Sequence, residues 1–154
     1  MNKYMESNHE FTDEQKALEL GKSYDFETTT VGDKLYNVEK LLEEAERLPI
    51  QEAPVENFLG AVSEGNYYWI DAGHKKLGPY DLLKNWEEAS KNPAWREHVD
   101  NIDNADLENP IWIIGLDYLV FNGMHRLTRI IRDGVPNVKY RYFETLPEEA
   151  LIND

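Results

Sequence analysis

The hydrophobic pattern is clearest between residues 109 and 143, where a period of two gives way to a period of 3.6 and then returns. Two short β-prone runs, Ile111 to Ile114 and Tyr118 to Phe121, flank a turn. From Met124 the apolar positions recur at helical spacing, and alternation resumes from Val138 to Phe143. The pattern therefore predicts strand, turn, strand, helix and strand.

The predicted helix has an apolar face and a basic face. Gly134 and Pro136 end it, because the glycine suits a helix C-terminus and the proline cannot continue one. Its apolar side carries Leu127, Ile130 and Ile131, and its other side carries Arg126, Arg129 and Arg132.

Weaker patterns predict the elements before this segment. A capping box of Thr12 and Gln15 starts a short helix that reaches Leu20, and Asn37 caps an amphipathic helix that reaches Leu48. The Thr-rich stretch between them fits either a strand or a loop. Further elements are predicted as strands at residues 49–53 and 67–70, helices at 55–62, 79–90, 93–99 and 147–152, and an acidic connector at 100–106.

These elements together predict an α+β fold, with a small mixed β-sheet flanked by helices. We expect a helical extension over residues 1–48 and a core domain over residues 49–154. The four tryptophans, Trp69, Trp86, Trp95 and Trp112, are expected in the core rather than on a base-stacking surface, because each lies in a β-prone or amphipathic run.

The junction before the basic helix is a candidate anion site. The first N–H groups of a helix have no partner within it, and they carry the positive end of the helix dipole. Gly123 allows a ligand to approach the backbone, and His125 and Arg126 in the first turn add side-chain donors. The alternative is an ordinary turn followed by a solvated basic face.

A family resemblance supports the anion site. Phe121-Asn122-Gly123-Met124-His125-Arg126, preceded by Asn109-Pro110-Ile111, resembles the signature of the ParB/sulfiredoxin-like superfamily. The resemblance covers about a quarter of the chain well, and residues 49–143 loosely. It implies a ParB/sulfiredoxin-like core that binds the phosphates of ATP or CTP at the helix N-terminus, with or without Mg²⁺.

The resemblance also implies which residues form the site. The phosphate-binding positions would be Asn122, Gly123, Met124, His125, Arg126 and Arg129. Asp106 is the nearest carboxylate candidate for a catalytic role in nucleotide hydrolysis or phosphoryl transfer. Sulfiredoxin has a reactive cysteine where this chain has Met124, so thiol repair chemistry is excluded. The DNA-binding helix-turn-helix of ParB is not expected after Phe143.

Composition and charge narrow the remaining classes. The net charge is −14, yet residues 109–143 carry five basic and two acidic residues against 11 basic and 28 acidic residues elsewhere. This basic island in an acidic chain indicates a local anion site, and direct DNA binding is not expected. The absence of cysteine fits a reducing cytoplasm, and four scattered histidines indicate no metal site. No apolar run is long enough to span a membrane.

A second function remains open on the sequence alone. The chain fits a non-enzymatic interaction protein, such as a phage-type inhibitor or DNA mimic, whose acidic surface binds a basic partner protein. A nuclease is disfavoured by the charge. The sequence leaves open the choice of nucleotide, the occurrence of turnover and the oligomeric state.

Overall fold

The computed structural model describes residues 27–115 and 118–152. The strands are β1 (Thr28–Val31), β2 (Lys34–Asn37), β3 (Gln51–Pro54), β4 (Trp69–Ile70), β5 (Lys76–Leu77), β6 (Ile111–Ile114), β7 (Leu119–Asn122) and β8 (Asn137–Phe143). The α-helices are α1 (Val38–Ala45), α2 (Pro79–Leu83), α3 (Trp86–Ser90), α4 (Arg96–Asp103) and α5 (Met124–Arg132). The 3₁₀ helices are Val55–Val62, Pro93–Trp95 and Glu148–Ala150. The fold is α+β, as the pattern predicted.

A four-stranded mixed sheet in the order β3-β8-β6-β7 is the centre of the fold. β8 pairs antiparallel with β3 and parallel with β6, and β6 pairs antiparallel with β7. Two parallel strands need a crossover connection between them. For β6 and β8, that connection contains β7 and α5. Two further hairpins join β1 to β2 and β4 to β5.

The sheet has a buried cluster on each side because successive strand residues face opposite ways. Ile111 and Ile113 belong to the larger cluster, which includes Leu127 of α5. Trp112, between them in sequence, belongs to the smaller cluster, which includes Leu41 of α1. The sheet is therefore a middle layer between α1 and the helices that carry the site.

Residues 28–48 supply much of the second layer. α1 begins where predicted, with the Asn37 side chain accepting a hydrogen bond from the Lys40 amide at 3.3 Å, and it ends at Ala45 rather than Leu48. The Thr-rich stretch is a strand, and the Thr29 hydroxyl donates to the Phe121 carbonyl of β7 at 2.9 Å. The helix predicted from Thr12 to Leu20 lies outside the described residues.

Several predicted elements differ in the structure, and the helices predicted at 93–99 and 147–152 begin or form as 3₁₀ helices. The single helix predicted at 79–90 is two helices, because the backbone of Asn85 leaves the helical region and its side chain caps the Glu88 amide at 3.2 Å. The acidic connector predicted at 100–106 is wrong in its first half, since α4 extends to Asp103. The helix predicted at 55–62 is a 3₁₀ helix.

The tryptophans divide between core and periphery. Trp69 and Trp112 are buried, whereas Trp86 and Trp95 are half-buried and pack against the larger cluster. Within the ranges 27–115 and 118–152, no helix combines the length and the apolar character needed to cross a bilayer.

Candidate functional site at the start of helix α5

The junction between β7 and α5 depends on the backbone of Gly123. This residue has φ 97° and ψ 23°, in the left-handed region. A Cβ atom at this position would lie 2.9 Å from Ile111 Cγ2 and 2.9 Å from Arg126 Nη1. Only glycine fits here without a shift of its neighbours, so the chain can turn sharply from the strand into the helix.

The first turn of α5 leaves backbone donors without partners. The Leu127 amide donates to the Gly123 carbonyl at 2.9 Å, which closes the first helical hydrogen bond. Within the described chain, no acceptor is assigned to the amides of Met124, His125 or Arg126. These N–H groups and the helix dipole favour an anion at this end of the helix.

Arg126 lies between this junction and the segment that leads into β6. Its Nε donates to the Asp106 carbonyl at 2.7 Å, and its Nη1 donates to the Pro110 carbonyl at 3.2 Å. Burial lowers the pKa of Arg126, and the nearby charge of Asp106 opposes that shift. The guanidinium remains charged at neutral pH, because its ordinary pKa is far above it.

The other two arginines on this face of α5 also bond within the chain. Arg129 Nη1 donates to the Ala105 carbonyl at 2.7 Å. Arg132 bonds the carboxylates of Asp103 and Asp133, and its guanidinium lies 4.6 Å from the centre of the Trp86 ring. The basic helix face is therefore largely occupied by contacts within the chain.

Asp106, the predicted catalytic carboxylate, shapes the loop opposite α5. Its Oδ1 accepts from the Glu108 amide at 2.9 Å, and its Oδ2 accepts from the Asn109 side chain at 3.1 Å. These are loop-closing contacts, typical of an aspartate that fixes a turn. The predicted phosphate-binding residues form one contiguous group, with Asn122 at the end of β7 and Arg129 one turn into α5.

His125 lies in an aromatic stack. Its ring is 4.4 Å from the Trp69 ring at an interplanar angle of 5°, and Trp69 also stacks on His98 at 4.9 Å. The Nε2 atom of His125 is 3.0 Å from Nδ1 of His98, whose own Nε2 is 2.8 Å from the Ile70 carbonyl oxygen. Burial, followed by the effect of His98, lowers the pKa of His125 to about 3. Its ring is therefore neutral at pH 7.

His98 and Trp69 were not among the residues predicted for the site. His98 is 7% exposed and is 27 residues from His125 in the chain. One signal was available, since His98 and Ile102 are four residues apart on the apolar side of α4. A histidine at such a position is buried and requires hydrogen-bond partners.

Metal ligation has no support in the described part of the chain. No group of three histidine or carboxylate side chains there is arranged to hold a cation. Comparison with known proteins gave no relatives: a scan against protein-family models, a search of curated proteins and a search of solved structures each found no match.

Proposed function

We propose that the protein binds a nucleotide, ATP or CTP, by its phosphate groups at the start of α5. The observation that carries this proposal is the set of first-turn amides of Met124, His125 and Arg126, which follow a left-handed glycine and have no acceptor within the described chain. Backbone donors in this arrangement are suited to phosphate oxygens. The resemblance to the ParB/sulfiredoxin-like superfamily points to the same residues.

The residues have different roles in this proposal. Gly123 allows the sharp turn from β7 into α5, and Met124 and His125 contribute their amides. Arg126 contributes its amide and its Nη2, which has no hydrogen bond in the described residues. Arg129 adds positive charge one turn further along. Mg²⁺ would arrive with the nucleotide, held mainly by phosphate and water oxygens.

Calorimetric titration with ATP and with CTP, each with and without Mg²⁺, tests the proposal. We expect saturable binding to the wild type and at least about tenfold weaker binding to Arg126→Met, because a charge-assisted contact is lost. Arg132→Met is the matched control, since it removes an arginine from the far end of the same helix. Equal affinity in wild type and Arg126→Met would reject the phosphate assignment. Phosphate release in the same samples reports hydrolysis.

A second substitution separates binding from folding. Asn122→Asp replaces the amide just before the helix by a carboxylate of nearly the same shape. Its negative charge interacts favourably with the helix dipole but repels a phosphate. We therefore expect Asn122→Asp to weaken nucleotide binding without lowering the free energy of unfolding. Asn92→Asp, at the cap of a different helix, is the control and should bind as the wild type does. Unchanged binding in Asn122→Asp would contradict the proposed location.

A second candidate function follows from the charge distribution. The arginines of α5 contact the chain itself, and Arg141 also donates to backbone carbonyls. The basic side chains of this region are therefore directed into contacts with the chain, and the rest of the protein carries 11 basic and 28 acidic residues. Three glutamates are exposed along this helix and its C-cap: Glu39 and Glu43 on α1, and Glu46 directly after it. The alternative is that this acidic exterior binds a basic partner protein.

The salt dependence of binding and a triple substitution distinguish the two candidate functions. If the acidic exterior is the binding surface, immobilised protein should retain a basic partner at about 0.1 M salt and release it at about 0.5 M. Replacing Glu39, Glu43 and Glu46 together by lysine should abolish that retention while leaving nucleotide binding unchanged. Retention by the triple variant would contradict the alternative.

A further inference from the structure

The His98–His125 contact restricts where protons can lie. The Ile70 carbonyl can only accept a hydrogen bond, so His98 Nε2 carries a proton. The 3.0 Å contact between His98 Nδ1 and His125 Nε2 holds one proton between the two nitrogens. In the neutral pair that proton belongs to His125 Nε2, because His98 already has its own. The remaining nitrogen, His125 Nδ1, is then unprotonated.

A proton added to the pair ends on the same nitrogen atom in both possible charge arrangements. If His125 becomes the cation, its Nδ1 carries the new proton. If His98 becomes the cation, the shared proton moves to His98 Nδ1, and neutral His125 must again be protonated at Nδ1. Both arrangements keep the hydrogen bonds to Ile70 and between the rings. The pair therefore gains its proton at His125 Nδ1, whichever ring holds the charge.

His125 also belongs to the first turn of α5, next to the amides without acceptors. In the empty site a positive charge on the pair is opposed by burial and by the positive end of the helix dipole. A dianion at those amides would reverse the electrostatic balance, because it attracts the proton on the adjacent histidine pair. Anion and proton would then bind together.

In the described chain, no carboxylate is assigned a hydrogen bond or an ion pair with either histidine of this pair. His98 is the titratable group that acts on the His125 ring. Asp71, which follows Ile70, is held by the amides of Gly73 and Lys75, and Asp81 of α2 accepts from the Gly78 amide. Charged side chains on the packed elements also include Lys75 and Lys76 of the β4–β5 hairpin, Glu56 of the 3₁₀ helix Val55–Val62, Glu87 and Glu88 on α3, Arg96, Glu97, Asp100 and Asp103 on α4, and Arg126, Arg129 and Arg132 on α5.

We propose that the start of α5 takes up a doubly charged oxyanion together with one proton, which the His98–His125 pair accepts at His125 Nδ1. This inference rests on the proposed function, since it concerns the same site. His98 is a positioning residue: it fixes the tautomer of His125, and Trp69 holds the two rings in the stack. The proton comes from the solvent, so protein, dianion and proton combine without any other reactant. The site thereby favours dianionic oxyanions, such as a terminal phosphate, over monoanions.

Titration with inorganic sulfate tests the inference, because sulfate remains a dianion throughout the relevant pH range. Binding is followed by the ¹⁵N resonances of the histidine rings at about pH 7.5 and about pH 5. We expect sulfate to shift His125 Nδ1 toward its protonated position and to bind more tightly at the lower pH, by up to about tenfold per pH unit. Calorimetry with ATP in buffers of different ionisation heat should show net proton uptake.

Two variants make the outcome decisive. His125→Gln can still donate to His98 Nδ1 but has no counterpart of His125 Nδ1, so its sulfate affinity should depend less on pH than that of the wild type, by the proton taken up at that atom. His74→Asn, in an exposed turn, is the control and should behave as the wild type does. The ring resonances of the wild type give the same test if His125→Gln does not fold.

The outcomes distinguish the inference from the proposed function. Binding of sulfate and ATP without proton uptake, or with equal uptake in His125→Gln, would overturn the proton coupling and leave the phosphate site standing. Failure of both anions to bind the wild type at either pH would overturn the proposed function and the inference with it.

Discussion

At the scale of single residues, the start of α5 requires glycine at position 123. Its positive φ and the 2.9 Å approach of Ile111 Cγ2 leave no room for a side chain. The junction at this glycine was predicted from the sequence, because a strand pattern followed by glycine and a helical pattern is a local signal. The close contact with β6 was not predictable, since it joins residues distant in the chain.

Gly123→Ala should destabilise the fold more than a comparable change elsewhere. We expect a loss of about 1–2 kcal/mol from the left-handed backbone and about 1–3 kcal/mol from crowding. Gly134→Ala is the control, because Gly134 also has positive φ but its added Cβ would meet no atom within 4 Å. Urea unfolding measures the free energy of unfolding of both variants. Equal losses would show that the neighbours of Gly123 move aside without an energetic cost.

The depressed pKa of His125 predicts a specific pH dependence of stability. Its pKa is about 3 in the folded protein, below the ordinary value of 6.5. The unfolded chain therefore binds the proton more readily, and this contribution is complete above about pH 6.5 and is lost as the pH falls toward 3. We expect a slope of at most about 1.4 kcal/mol per pH unit in this window.

The difference between wild type and His125→Gln isolates this effect from the titration of carboxylates. Urea midpoints of the two proteins are compared at about pH 7 and about pH 5. The wild type should lose more stability than the variant on acidification. Parallel losses would mean that His125 titrates normally in the folded state.

At the scale of elements, α1 depends on a contact from the sheet. Arg141 of β8 donates to the Ala45 carbonyl at 2.7 Å and also to the Leu48 carbonyl. The Ala45 carbonyl also accepts from the Leu48 amide at 2.9 Å, so Arg141 adds a charged donor to the end of the helix, where cationic side chains are favourable. The contact fixes the end of α1 on the sheet.

Arg141→Met should loosen α1 without unfolding the sheet. We expect a loss of about 1–3 kcal/mol, with faster amide hydrogen exchange in α1 than in β6. Arg47→Met is the control, because Arg47 makes a surface ion pair with Glu44 and its side chain is 72% exposed. Such pairs contribute little to stability. Unchanged exchange in α1 would show that its end is held by other contacts.

Sequence patterns predicted these elements to different extents. α1, β6, β8 and α5 carry long or regular apolar periods, and the structure confirms each of them. The break at Asn85 was missed because an asparagine can sit within a helix or cap a new one, and its side-chain bond to Glu88 decides between them. The His98–His125 pair was missed because it depends on the packing of α4 against α5.

At the scale of the whole molecule, charge is the dominant property. The formal net charge is −14, from 30 acidic and 16 basic residues. Like charges repel one another in the compact state, and dissolved salt screens that repulsion. The acidic exterior therefore lowers stability at low ionic strength.

Thermal unfolding at several salt concentrations tests this property. The melting temperature should rise between about 0.01 M and about 0.5 M sodium chloride, over which the screening length falls several-fold. Sodium chloride is chosen because sulfate would also occupy the proposed site. A melting temperature that falls with salt would show that favourable ion pairs outweigh the net repulsion.

If nucleotide phosphates bind the amides at the start of α5, a titration of isotope-labelled protein with ATP will show it at the amide resonances of Met124, His125 and Arg126. We expect these three amides to shift the most and to saturate together, with β3 and α1 little affected. Shifts confined to other elements, or none at millimolar nucleotide, would contradict it.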